Sequence, residues 1–226
     1  MKIHKDLIQG SPEWMYAKLG KPSASNFGRV MDSYSEPEYY VDNAVNQKKG
    51  IAGTLKNTPG FGDGAKTYAI ELIAETLLNE PTFTHVNYAM EHGNEYEPYA
   101  REIYERDNKL PVIQVGGIES DGLWYSPDGL VGDDGLIEIK CPQPTNHIRF
   151  LLDGEIDKKY ITQMQFGLMV SGRKWCDFIS FHPDFPDALK IKAVRIYPDL
   201  EYHYEMKLRA DEFKKLILTI NNKLCH

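Results

Sequence analysis

Two carboxylates and an ammonium, Asp128, Glu138 and Lys140, stand near one another in the chain as SPDGL followed by GLIEIK. LWYSPDGLVG reads as a strand running into a turn, and GLIEIKC as a second short strand whose side chains alternate between faces. That alternation puts Glu138 and Lys140 on one face, Ile137 and Ile139 on the other, and a hairpin lets Asp128 meet Glu138. The chemistry open to such a trio is hydrolysis of a phosphodiester. Phosphodiester oxygens are already negative, so attack by water needs cations where charge grows and where the nucleophile is acidified. Magnesium or manganese, hard ions that prefer oxygen, suit Asp and Glu. Lys140 can hold or deprotonate the attacking water, or bind a phosphate oxygen, and its charge offsets crowding between the carboxylates. The plain alternative is that D-G and the D-D-G of 133–135 are hairpin turns and E-x-K a solvated strand face. The rest of the chain has to decide.

With 226 residues, 42% of them hydrophobic, the chain can bury one substantial core, and a single domain spanning 1–226 is expected. No apolar run approaches the ~20 residues of a membrane-spanning helix. MKIHKDLIQG lacks the apolar core of a secretion signal, which points to the cytoplasm. Cys141, Cys176 and Cys225 are odd in number and far apart, against a disulfide framework, a zinc knuckle or an iron–sulfur cluster. His85, His92 and His147 form no HxxxH-like zinc pair. GFGDGAKT at 60–67 has Ala65 where a phosphate-binding loop needs glycine, and no apolar strand precedes it. The formal net charge of −7 does not favour a nucleic-acid partner, but a whole-chain sum averages over faces and a metal site requires an acidic cluster of its own.

The elements that must position the trio follow from pattern. Ser11 as N-cap with Pro12 opens a short helix over 11–19, and 23–32 reads as a second. The stretch 33–64, rich in Ser, Pro, Asn, Gly and Tyr, reads as loop around a short helix. A buried helix is expected over 65–80, ending before Pro81. An amphipathic one follows over 88–108 with Tyr96, Ala100, Ile103 and Tyr104 on its apolar stripe. Strands are expected at 111–118, 122–126, 129–131, 136–140, 174–181 and 190–197, with helices at 156–171 and 199–224. This succession makes an α/β core with a mixed central sheet flanked by helices.

Four blocks in order resemble the phage-type recombination exonucleases, the lambda-exonuclease or YqaJ-like family of the PD-(D/E)xK nuclease superfamily. They are QGSPEWMYAKLGKPSAS, HGNEYEPYAREIYE, SPDGL with GLIEIKCP, and YITQMQFGLMVSG. The resemblance runs from about residue 9 to 172. It departs at Lys18, where the family usually has arginine, and at Ser23, where threonine is common; lysine keeps the charge but loses the bidentate fork.

The resemblance implies a restriction-endonuclease-like fold and a role for each matched residue. Asp128 and Glu138 would be the principal metal ligands, Glu97 would complete the acidic site and the Ile139 carbonyl would add an oxygen. Two Mg2+ ions (Mn2+ as substitute) would stabilise the attacking and leaving oxygens, with Lys140 activating water. Gln163 would lie near the reacting phosphate, flanked by Tyr160 and Gln165. Lys18, Ser25 and Ser126 would hold a 5′-phosphate, with the region of about 1–64 contributing to DNA binding, and Met90 would wedge between terminal bases. The implied activity is 5′-to-3′ resection of one strand of linear double-stranded DNA, leaving 3′ overhangs for recombination by strand annealing. The implied partners are a single-strand annealing protein and further copies in a trimeric ring, with Lys48, Lys49, Lys56 and Lys66 candidates for its bore. The implied setting is a phage or prophage gene in a bacterial host. Two other readings stand beside it: a superfamily endonuclease, and a non-catalytic DNA-binding recombination protein.

Overall fold

The computed structural model of the chain describes residues 1–32, 60–82 and 88–224, without the side chains of 88–91 and 94. Its centre is a five-stranded mixed sheet of β2 (Val112–Ile113), β5 (Gly129–Val131), β6 (Gly135–Lys140), β7 (Trp175–Phe181) and β8 (Ile191–Ile196), in the order β2-β5-β6-β7-β8. A smaller antiparallel sheet orders β1 (Lys2–His4), β3 (Gly117–Ser120) and β4 (Leu123–Tyr125) as β1-β3-β4. Only the β6–β7 pair in the larger sheet is parallel. A parallel pair needs a long crossover, and here it is made by α5 (Pro144–Asp153) and α6 (Lys158–Ser171), the numbering following α1 (Pro12–Lys18), α2 (Ala24–Asp32), α3 (Asp63–Leu78) and α4 (Tyr88–Asn108). The last described element is α7 (Leu200–Leu224).

Both faces of the large sheet are covered. Leu130, Leu136, Cys176 and Phe178 share a core with side chains of α2, α3, α6 and α7, among them Phe27, Tyr68, Phe166 and Phe213. Ile137, Ile139, Ile179 and Phe181 pack on the opposite face under Ala100 and Tyr104 of α4. A strand buried on both sides reads as a continuous apolar run, which is why GLIEIK tolerates charge only toward its end.

The turn and cap chemistry is local. The Ser11 side chain accepts from the Trp14 N–H at 3.2 Å with Pro12 in the first turn of α1. Asp157 caps α6 by accepting from Lys159 N–H at 3.0 Å, and Gly172 closes that helix at φ 65°. Gly129 is not a turn glycine. It sits in β5, where an added Cβ would come within 2.1 Å of Val112, so the glycine after Asp128 exists to let β2 close on β5.

Three differences from the sequence reading concern positioning. The single strand expected at 111–118 is two strands in two different sheets, because the chain turns at Val115–Gly116, where a Cβ on Gly116 would fall 2.4 Å from Leu7. Strand β1 and helix α5 lie in stretches to which no element was assigned. Of the loop expected over 33–64, residues 33–59 lie outside the described residues, and Asp63 already begins α3. Among the described residues no helix is long and apolar enough to cross a membrane.

Candidate active site

Strand pairing builds the centre. Gly129 pairs with Ile137 across the antiparallel β5–β6 ladder, so Asp128, one residue earlier, falls beside Glu138. The pair is closed by a bond between side chain and backbone: the Ile139 N–H donates to Asp128 Oδ2 at 2.6 Å. Glu138 is fully buried. Its Oε1 accepts from Lys140 Nζ at 2.5 Å and from Gln163 Nε2 of α6 at 2.7 Å, while its Oε2 is buried with no hydrogen-bond partner.

The turn that carries Asp128 is braced from three sides. Ser126 Oγ accepts from the indole N–H of Trp124 at 2.8 Å and of Trp14 at 3.2 Å and donates to the Gly116 carbonyl at 3.1 Å. Gln9 Nε2 donates to the carbonyls of Pro127 at 2.8 Å and Val115 at 2.9 Å. Arg101 Nε donates to the Asp128 carbonyl at 3.1 Å, and the same guanidinium pairs with the Glu97 carboxylate one helical turn earlier. Together these bonds fix a loop backbone that would otherwise be free to turn.

Electrostatics follows from burial. Loss of water pushes Glu138 up to about 7; Asp128 and Glu97 push the same way, and the Lys140 ammonium resists. Glu97 is likewise raised to about 7 by burial and by Asp128, against the pull of Arg101 and Lys140. Asp128 is raised by burial, opposed by Lys140 and by the Ile139 N–H. Burial would lower Lys140, but Glu138 and Asp128 outweigh it and hold the ammonium above its ordinary range. Burial and the neighbouring carboxylates lift the Cys141 thiol to about 12, which leaves it protonated and inert.

The donors suit a hard cation. Asp128, Ile139 and Lys140 line a cleft of about 960 Å³ together with Glu97, Tyr160 and Gln9, while the fully buried Glu138 does not line it and is bonded to Lys140, which does. Among the described residues no three His, Cys, Asp or Glu side chains form a ready-made metal cage. Magnesium does not require one, since it is commonly held by one or two carboxylates with waters and substrate phosphate completing the shell. The unpartnered Glu138 Oε2 beside Asp128 is the oxygen that fits such an ion, because a buried carboxylate oxygen without a donor is costly.

The remaining expected residues divide. Tyr160 faces the cleft, its ring centroid 5.3 Å from Lys140 Nζ. Gln165 does not: it is buried, donating to the Tyr197 carbonyl at 2.9 Å and accepting from Asp199 N–H at 3.0 Å, so it anchors the start of α7. Ser126, as described, has its one proton and both lone pairs engaged within the chain. Lys18 lies on α1 with Nζ 3.8 Å from the Trp14 ring centroid, its pKa lowered by burial against the pull of Glu75. Ser25 is exposed, its hydroxyl 3.5 Å from Ser23 Oγ, which is in turn 3.4 Å from the Tyr68 hydroxyl. Lys66 is exposed on α3, 3.6 Å from Asp63. The Met90 side chain and Lys48, Lys49 and Lys56 lie outside what is described. Arg101 and Gln9 were not singled out from the sequence; the four-residue spacing from Glu97 to Arg101 on one helix was the available signal.

Known proteins share this fold. An alkaline exonuclease, LHK-Exo, from Laribacter hongkongensis superposes with a TM-score of 0.77 at 32% identity, over 95% of this chain and 96% of that one. Its complex with dAMP gives 0.75 at 33% identity, over 95% and 96%. A phage-related exonuclease from Haemophilus somnus 129PT, at 16% identity and TM-score 0.66 over 90% and 96%, shares the fold. Comparison with curated proteins gave no significant match. Residues 13–174 match the model of the YqaJ-like viral recombinase domain, a span that contains every element of the site from Trp14 to Gln163, and the chain belongs to that family.

Proposed function

We propose that this protein is a DNA exonuclease of recombination that hydrolyses phosphodiesters with a divalent metal. It would resect one strand of linear double-stranded DNA 5′-to-3′ from a phosphorylated end. The observation that carries the reading is the unpartnered, buried Oε2 of Glu138, whose other oxygen is bonded to Lys140 at a cleft of about 960 Å³ that Asp128 and Lys140 line. The alkaline exonuclease at 32% identity and its dAMP complex support a nuclease with a nucleotide-sized site.

Asp128, Glu138 and the Ile139 carbonyl would hold Mg2+ or Mn2+, with Glu97 at the edge of a second position. When bound, such ions acidify water and neutralise phosphate oxygens. The chain's own groups do the rest. Lys140, held as an ammonium by its carboxylates, donates to a phosphate oxygen or orients the water, and Gln163 keeps Glu138 in place from α6. At the other end of the site, Lys18 with the Ser25 and Ser23 hydroxyls offers a cation and hydroxyl donors to a terminal phosphate, while Ser126 supports the turn instead of the ligand. Assembly of three copies around DNA, and hand-over of the 3′ strand to a single-strand annealing protein in a bacterial cytoplasm, belong to the same reading.

The test is digestion of linear duplex DNA bearing one 5′-phosphorylated and one 5′-hydroxyl end, with Mg2+, beside Lys140→Ala and a closed circle. Metal-dependent resection from the phosphorylated end, lost in the variant, is the expected result. Cutting of the circle would make the protein an endonuclease, and binding without cutting would make it a non-catalytic recombination protein.

A further inference from the structure

Arg101 is nearly buried, and a buried guanidinium is tolerated only where its donors are matched. Two of its partners, Asp128 and Glu97, line the cleft. Nε donates to the Asp128 carbonyl at 3.1 Å, and a terminal nitrogen pairs with Glu97 Oε1. With the Gln114 amide turned so that its oxygen faces the guanidinium, that oxygen accepts from both terminal nitrogens at 3.0 Å. One rigid fork therefore joins a helix, the turn of the catalytic hairpin and the segment between β2 and β3.

The neighbouring residues make the fork rigid. Ala100, the residue before Arg101, is fully buried against the sheet, and Tyr104, one turn on, donates to Asp177 Oδ2 at 2.6 Å. These contacts seat α4 on β6 and β7, so Arg101 cannot drift along the sheet, and Glu97, one turn back, is carried to the cleft edge. The fork engages Oε1 of Glu97, a residue that itself lines the cleft. On the far side Asp128 is held through Oδ2 by Ile139, so the carboxylates from helix and hairpin are registered against each other by a single side chain.

Resting on the metal-dependent reading above, we propose that Arg101 is a positioning residue that fixes Glu97 and Asp128 as one unit, so that both carboxylates meet the metal and the phosphate in register. The role requires arginine. A lysine at this position would keep the charge and could pair with Glu97, but one compact ammonium cannot also reach a carbonyl and an amide in the plane of a fork.

Arg101→Lys isolates geometry from charge. On linear duplex DNA it is expected to lower kcat by about tenfold with KM for DNA within about twofold, as for small misplacements of catalytic groups. The rise in melting temperature that Mn2+ gives the wild-type chain should shrink in the variant. In the Glu97→Gln background the same change should cost less than in the wild-type chain, because the part of its action that runs through Glu97 is already lost. A variant with wild-type kcat and an unchanged Mn2+ shift overturns the proposal, as does a full additional loss in the Glu97→Gln background, which marks a role in folding alone. Should Arg101→Lys fail to fold, Gln114→Met decides, since Gln114 is exposed: a smaller loss in kcat alone supports the role, and none overturns it. A wild-type chain that neither cuts DNA nor gains stability from Mn2+ overturns the nuclease reading and this proposal together, a pattern distinct from failure of the variant alone.

Discussion

The hairpin around Asp128 and the corner between α1 and α2 are both built from short polar residues, yet they hold them differently. In the hairpin the carbonyls of Pro127 and Asp128, the hydroxyl of Ser126 and one oxygen each of Asp128 and Glu138 have partners inside the chain, while Glu138 Oε2 is buried without one. At the corner, Lys18 Nζ lies over the Trp14 ring within the pull of Glu75, and the hydroxyls of Ser23, Ser25 and Tyr68 stand at 3.4–3.5 Å. On the function proposed above, the contrast separates two kinds of site. A reacting centre needs its donors and acceptors pre-set before substrate arrives, whereas a phosphate grip keeps its donors available for the ligand.

The largest test of that contrast is in the hairpin. Lys140→Ala and Glu138→Ala should each lower cleavage by about 10²–10⁴-fold, the range for removing a positioned acid–base or charge-bearing group, measured as initial rates on linear DNA. At the corner, Lys18→Ala should leave cleavage intact and reduce the preference for a phosphorylated end by about tenfold or somewhat more, the worth of one charge-assisted hydrogen bond, read by competition between the two end types. Ser126→Ala should do the reverse. The Trp124 indole N–H loses its acceptor while Trp14 keeps the Gly116 carbonyl at 2.7 Å, so thermal stability falls by about 1–2 kcal/mol, while the end preference stays; a lost preference with unchanged stability would erase the distinction between the regions.

Protonation sharpens it further. Glu138 and Glu97 titrate near 7 in the folded chain against an ordinary 4.5, so the folded state binds protons that the unfolded state has released. Without metal, their contribution to stability is complete below about 4.5 and is lost as pH rises toward about 7. Melting curves should record that decline, Glu138→Gln should flatten it, and Mn2+ should restore more stability above neutrality than at mildly acid pH. The smallest effect is expected on the cleft wall. Arg149, exposed on α5 and lining the cleft, should on replacement by alanine weaken DNA binding modestly and reduce the slope of log affinity against log salt by about one.

How much of this was legible in the sequence depended on what each residue answers to. The meeting of Asp128 with Glu138 could be read because two-residue alternation and a turn are local facts. Gln163 and Gln165 were grouped as neighbours of the phosphate, but residues two apart on a helix point about 200° apart. Only Gln163 reaches Glu138, and Gln165 faces α7. Helix α5 was missed because only His147 and Phe150 of it are buried, too few to show a period. The braces on Asp128 escaped notice for another reason: Gln9 and Arg101 bond to backbone carbonyls, and a carbonyl looks the same at every position of a sequence.

The parallel pairing of β6 with β7 bears on how the protein comes into being. Strand β6 is complete at Lys140, yet the neighbour that covers it does not begin until Trp175, and Gln163, which steadies Glu138, lies on the crossover between them. Contacts this distant in sequence form slowly and late. A growing chain halted before Trp175 already contains Asp128, Glu138 and Lys140 with strands β2, β5 and β6, but lacks β7, which pairs with β6, and β8 beyond it. A nuclease built on this topology would complete its site only after synthesis has passed the strand that closes the core.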